Sequence, residues 1–172
     1  MADVDRDLVG DRDDLPDEAF ATRAGAHLAL LSVVADQRGT MAWFSADFRH
    51  WPLSDFAFIR ALEVWALRDP RRPSALRVLA LDWRDVGVRF PRFAAFRRDF
   101  SHVVECRVVR ARWVQDLPEL AWTGSQAVVA SAPAWTSGKR IRSPARLTAL
   151  RDRFEPAWEQ ATPGFPAGIL GL

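Results

Sequence analysis

Three histidines, one cysteine and one lysine are the side chains of this 172-residue chain best suited to nucleophilic or proton-transfer chemistry, and their spacing forms no familiar site. His27, His50, His102 and Cys106 lie too far apart to show a zinc-ligand pattern. The nine glycines never fall into a Gly-x-Gly-x-x-Gly or Gly-Lys-Ser/Thr phosphate loop. No cofactor or metal is therefore expected. Cys106 sits inside the apolar run Val103–Val109, on the same face as Val104 and Val108, which predicts a buried, inert thiol. His27 beside an apolar helical stripe and His102 after Ser101 read as hydrogen-bonded structural residues. The stronger cluster lies where ligand sites gather in α/β sheets, at the carboxyl ends of strands. There Asp47 and His50 follow one predicted strand, and Asp82 and Arg84 follow the next, so the four would share a ligand-binding rim if the strands are neighbours. The competing expectation is that Asp47 and Asp82 cap helices or pair with arginines.

Those residues need elements to hold them. Phe20, Ala24, Leu28, Leu31 and Ala35 recur at helical spacing and predict a helix over about 17–37. Strands are predicted over 40–46, 75–82 and 103–109. A second helix starts with Ser54 as N-cap and carries Ile59, Leu62 and Trp65 inward. A third spans 84–99 with a kink or break at Pro91. Asp116–Ser131 reads as a hairpin turning at Thr123-Gly124, and Ala134–Arg142 as a loop. Ser143-Pro144 opens a last helix to about 161 that buries Leu147, Leu150, Phe154 and Trp158. Strands alternating with helices predict an α/β domain with a mostly parallel sheet, its crossovers covering both faces.

The length fits one domain, expected over 18–161 between an acidic, disordered arm (1–17) and an irregular tail (162–172). Residues 1–18 hold eight acids against Arg6 and Arg12, a net of −6, so the total of +2 leaves +8 on the remainder. Arg68, Arg71, Arg72 and Arg77 form one basic group. Lys139, Arg140, Arg142 and Arg146 form another that, with Trp135 nearby, is a candidate nucleic-acid patch. Trp51, Trp113 and Trp135 would mark a protein interface if exposed. One cysteine excludes an intrachain disulfide. Met1-Ala-Asp-Val-Asp-Arg-Asp is acidic and lacks the basic-then-apolar order expected of a signal peptide, and no apolar run approaches about 20 residues. The expectation is a soluble cytoplasmic protein with no membrane partner.

The stretches "Leu-Arg-Val-Leu-Ala-Leu-Asp" (76–82) and "Thr-Gly-Ser-Gln-Ala-Val-Val-Ala-Ser" (123–131), with the element order around them, resemble one half of the phospholipase D-like fold across about residues 18–161. In that family a His-x-Lys-x4-Asp signature supplies a nucleophilic histidine, a phosphate-clamping lysine and a positioning carboxylate. Placing Thr123-Gly124 on the family's Asp-Gly turn puts Asp116 at the histidine, Pro118 at the lysine and Thr123 at the aspartate. No histidine here has lysine two positions on. The chain also resembles a family of uncharacterised bacterial proteins with this degenerate pattern, sometimes joined to an acetyltransferase domain. The most similar stretches are "Leu-Asp-Trp-Arg-Asp" (81–85), "Phe-Arg-Arg-Asp-Phe-Ser-His" (96–102) and "Arg-Phe-Glu-Pro-Ala-Trp-Glu" (153–159). The resemblance implies a pseudoenzyme without phospholipase D chemistry. It also implies a homodimer, because active members pair two such halves about a two-fold axis. The leading expectation is thus a non-catalytic binding or assembly protein with an unidentified protein partner. The alternatives are a cryptic enzyme using the Asp47, His50, Asp82 and Arg84 rim, or a nucleic-acid binder using Lys139, Arg140 and Arg142.

Overall fold

A computed structural model describes residues 16–113, 115–132 and 134–167. The acidic arm up to residue 15 and the tail from 168 lie outside the described residues. The strands are β1 (Glu18–Phe20), β2 (Met41–Ser45), β3 (Leu76–Ala80), β4 (Val104–Val108), β5 (Leu120–Thr123), β6 (Ala127–Ala130), β7 (Gly138–Ile141) and β8 (Thr162–Pro163). The helices are α1 (Arg23–Asp36), α2 (Phe56–Arg68), α3 (Val86–Arg89), α4 (Pro91–Asp99) and α5 (Pro144–Glu159). One eight-stranded sheet runs β1-β7-β6-β5-β2-β3-β4-β8.

That sheet is mixed and mostly antiparallel, not mostly parallel as the alternation of elements suggested. Only β2–β3 and β3–β4 pair in parallel. The other five ladders are antiparallel. Part of the reason is that β5, β6 and β7 follow one another without a crossover helix, and strands so joined fold back on their neighbours; β1, β8 and the β2–β5 edge add antiparallel pairs between strands remote in sequence. Three strands went unpredicted. β7 arises from the Gly-Lys-Arg-Ile stretch read as loop, β1 from residues assigned to the first helix, and β8 from the tail.

β2 is an unbroken apolar run because both of its faces are covered. Met41 and Trp43 point into a core built with α1, α2, α3 and α4. Ala42 and Phe44 point into a second core under α5. The helices connecting the parallel strands thus share one face, and α5 covers the other. The buried stripe of α1 is Ala26, Leu30, Val33 and Val34, whereas Leu28, predicted inward, is 68% exposed. α2 and α5 bury the residues expected of them. Asp55, rather than Ser54, caps α2 by accepting from Ala57 N and Phe58 N. Pro91 breaks the third helix in two and becomes the first residue of α4.

Candidate functional site

The carboxyl ends of β2, β3 and β6 open on one rim, and a carboxylate overlooked in the sequence organises it. Glu119, just before β5, accepts from four donors. Its Oε1 takes the Ser45 hydroxyl at 2.8 Å and the Ala46 amide at 3.0 Å. Its Oε2 takes the Trp51 and Trp135 indoles at 3.2 and 2.7 Å. Ser45 Oγ also accepts from Phe48 N at 2.9 Å. One carboxylate side chain therefore ties the end of β2 to the loops after β2 and β6.

Aromatic rings complete the closure. Phe20, Trp135, Trp51, Phe48, Trp83 and Phe165 follow one another with centroid separations between 5.0 and 6.3 Å. Trp51 and Trp135 are buried, so they do not form the exposed interface considered from the sequence. Phe48, Trp135 and Phe165 hold left-handed backbones with φ of 58°, 56° and 45°. Bulky residues rarely adopt that region, and each costs about 1–3 kcal/mol unless its surroundings impose it. Phe48 and Trp135 are fully buried in the plug, and Phe165 is partly buried against Trp83 and Phe93.

The loops carrying the four residues expected to share a ligand rim meet through their backbones, while Asp47 and Asp82 each bond an arginine of their own loop. Leu81 N and Asp82 N both donate to Ala46 O at 3.1 Å, so the two loops do touch. Asp47, however, accepts from Arg49 N at 2.9 Å and pairs with the Arg49 guanidinium. Asp82 is gripped by Arg84 through its amide and guanidinium, which holds its carboxyl down at about 2. His50 contributes its carbonyl oxygen, which accepts from Nε2 of His27 at 3.0 Å. Arg84 additionally borders an open groove of about 660 Å³ beside Trp83, Val88, Arg98 and Phe165.

The positions corresponding to the phosphotransfer signature do not converge either. Asp116 is exposed in a turn after the short helical turn at Ala111–Trp113. Thr123 is fully buried at the other end of the sheet, opposite Met41. Its hydroxyl donates to Gln126 O and accepts from Gln126 N, tying the hairpin turn. His102 Nε2 donates to Pro70 O at 2.6 Å. Cys106 is buried, and burial pushes its thiol up to about 12, which disfavours the thiolate. No cluster of three or more metal-ligating side chains exists among the described residues.

The basic patch is largely neutralised by the chain itself. Lys139 and Arg146 both pair with Asp17, Arg142 donates to Glu18 at 2.7 Å, and Arg140 reaches Glu18, Asp36 and Gln126. The other basic group is divided: Arg68 bonds Gln37 O, Arg72 pairs with Asp69, and Arg77 forms a two-pronged pair with Glu155 beneath α5. Among the described residues, no helix is long and apolar enough to cross a membrane.

No known family profile matches the sequence, and no curated protein matches it. Solved structures do. An archaeal chromatin protein described as showing a novel mode of DNA binding, TrmBL2, superposes with a TM-score of 0.62 at 9% identity. That match covers 88% of this chain and 56% of TrmBL2, so the chain spans little more than half of that protein. The phospholipase D family member Nuc from Salmonella typhimurium matches with a TM-score of 0.59 and 12% identity over 87% of this chain and 97% of Nuc. NucT from Helicobacter pylori matches with 0.62 and 11%, over 87% and 99%. Identities this low speak for architecture alone, and the architecture is that of the phospholipase D-like fold.

Proposed function

We propose that this is a non-catalytic binding or assembly protein on a phospholipase D-like scaffold, its signature degenerate and its strand-end cleft closed. The observation that carries this reading is the plug: Glu119, Trp51 and Trp135 occupy the rim, while Asp116 and Pro118 stand where a nucleophile and a phosphate clamp would be needed. A carboxylate at the nucleophile position repels a phosphodiester, and proline offers no charge or donor. The test is turnover of bis(p-nitrophenyl) phosphate and of phosphatidylcholine. The expected result is no release above buffer. Hydrolysis abolished by His50→Ala would overturn the reading in favour of an enzyme using the Asp47, His50, Asp82 and Arg84 rim.

The fold shared with a DNA-binding chromatin protein favours a second reading, nucleic-acid binding through Lys139, Arg140 and Arg142. Their existing ion pairs count against it, because each would have to be surrendered to a phosphate. Affinity for duplex DNA falling steeply with salt would support it. Homodimerisation about the family's two-fold axis is part of the leading proposal, and light scattering tests it: a dimer mass is expected, and a monomer mass would discard the dimer. A reducing, cytoplasmic setting is proposed on the single cysteine.

A further inference from the structure

Helix α2 is apolar on two sides. Its inner face buries Phe58, Ile59, Leu62, Trp65 and Ala66. Its outer face carries Phe56, Val64 and Leu67, which are 70%, 40% and 60% exposed, three of the five large apolar side chains exposed among the described residues. A surface helix normally turns polar residues outward. Here Phe56, Arg60, Glu63, Val64 and Leu67 fall within about 100° around the helix and run about 16 Å along it, so the exposure is one stripe rather than scattered. Arg60 and Glu63, in the middle of the stripe, pair with each other at 3.0 Å. Their places are symmetric: Arg60 is four residues in from Phe56, and Glu63 is four residues in from Leu67.

We infer that this stripe is a homodimer interface in which α2 packs antiparallel against α2 of a second copy of the chain. A two-fold axis through the centre of the stripe lays Phe56 on the partner's Leu67 and Arg60 against the partner's Glu63, and each contact occurs twice. A parallel pairing would set Arg60 on Arg60 and Glu63 on Glu63, which like-charge repulsion disfavours. The ion pair does not drive association, being exposed and weak within one copy; it selects the orientation and leaves no charge unpartnered. The apolar stripe supplies the affinity, and one helix face is a small interface, so a micromolar dimer is expected. This rests on the assembly reading and names the surface and the orientation of the partner copy. The test is sedimentation equilibrium of the full chain from low to high micromolar concentration, in which the mass should rise from 19.4 kDa toward twice that. Leu67→Asp should weaken the dimer roughly tenfold or more. Arg60→Glu sets acid against acid and Glu63→Arg sets base against base, so each of these proteins alone should stay monomeric. Mixed in equal amounts the two should dimerise, since every charged contact across the axis is then between opposite signs, a rescue that a misfolded variant would not show. A native chain that stays monomeric throughout, charge variants as dimeric as the native chain, or no dimer on mixing would each overturn the inference. A dimer untouched by Leu67→Asp would discard this face and leave the assembly reading standing. Phosphodiester hydrolysis would instead sink the non-catalytic reading and leave these masses as they are.

Discussion

Glu119 holds two indoles, a hydroxyl and an amide, so its removal strands donors in an aromatic surround rather than merely deleting one contact. Glu119→Ala should cost about 2–4 kcal/mol, since bonds to a charged group contribute about 1.5–3 kcal/mol and the orphaned donors add to that. Urea denaturation should show the midpoint falling at constant slope, and the near-ultraviolet signal of Trp51 and Trp135 should broaden. Glu119→Gln, which keeps the shape but turns an NH2 toward indole donors, should fall between. The Asp82–Arg84 pair is the contrast: it is local and solvent-exposed, and Arg84→Ala should leave the midpoint unmoved. At this scale the sequence was partly legible. The buried Cys106 follows from burial of its strand, and the pairing of Asp47 and Asp82 with arginines from neighbours two residues away, whereas the hydrogen bonds of His27 and His102 reach His50 O and Pro70 O, 23 and 32 residues distant. Glu119 was not legible, because its four partners come from positions 45, 46, 51 and 135 and only the fold brings them together. The sole local hint was an acid immediately before an apolar strand.

Strand β1 is held on the sheet by three residue pairs to β7 and by charge, which makes its attachment sensitive to pH. The Arg146 bond to Asp17 and the Arg142 bond to Glu18 hold both carboxyls below their usual range. A depressed folded pKa means the unfolded chain binds protons first. The contribution is therefore complete above the ordinary carboxylate range and disappears as pH falls through the lower folded values. Acidification should free the amides of Glu18–Phe20 to hydrogen exchange before those of β2, and protection of β1 that persists below pH 2 would contradict this. Packing makes the same junction intolerant. A Cβ on Gly138 would overlap the Val129 carbonyl oxygen and the Phe20 ring, so Gly138→Ala should cost about 1–3 kcal/mol, as overpacking does. Loss of β1 protection in that variant, with β2 unaffected, is the expected exchange pattern. Element prediction succeeded for the five-residue strands with at least one buried face, β2, β3 and β4, and where a proline ends a turn. It failed for β1, β7 and β8, which lack the Thr-Gly turn and apolar run that marked the equally short β5 and β6; so short a strand has no period of its own and exists only by pairing. The first helix was placed on the wrong face because alanines and leucines occur all round it, and Leu28 carries no mark of exposure.

The whole molecule is a sheet shared by two cores, and that sharing makes its stability a single property. Trp43 faces one core with Phe58 and Phe93, while Phe44, on the next residue, faces the other beneath α5. The outermost strands, β1 and β8, are short, and β8 contains Pro163, which blunts edge-to-edge addition and directs any assembly to helical or loop surfaces. On the second face α5 is the covering helix. It is fixed by Phe154 and Trp158, stacked at 5.9 Å, by Arg77 over both rings, and by Arg107 at 4.3 Å from the Trp158 ring. Glu155 accepts both prongs of Arg77 at 2.7 and 2.8 Å. Phe154→Ala should therefore cost about 3–5 kcal/mol, the range for emptying a buried aromatic site. If the sheet couples the cores, that loss must appear equally on the far face. In fluorotryptophan-labelled protein, the fluorine resonances of Trp43 and Trp158 should then vanish at one denaturant concentration, shifted together by the substitution. Two separated transitions, with Trp158 released while Trp43 stays folded, would mean that α5 and its core form an independent layer, and the plug at the rim would then survive the loss of that layer.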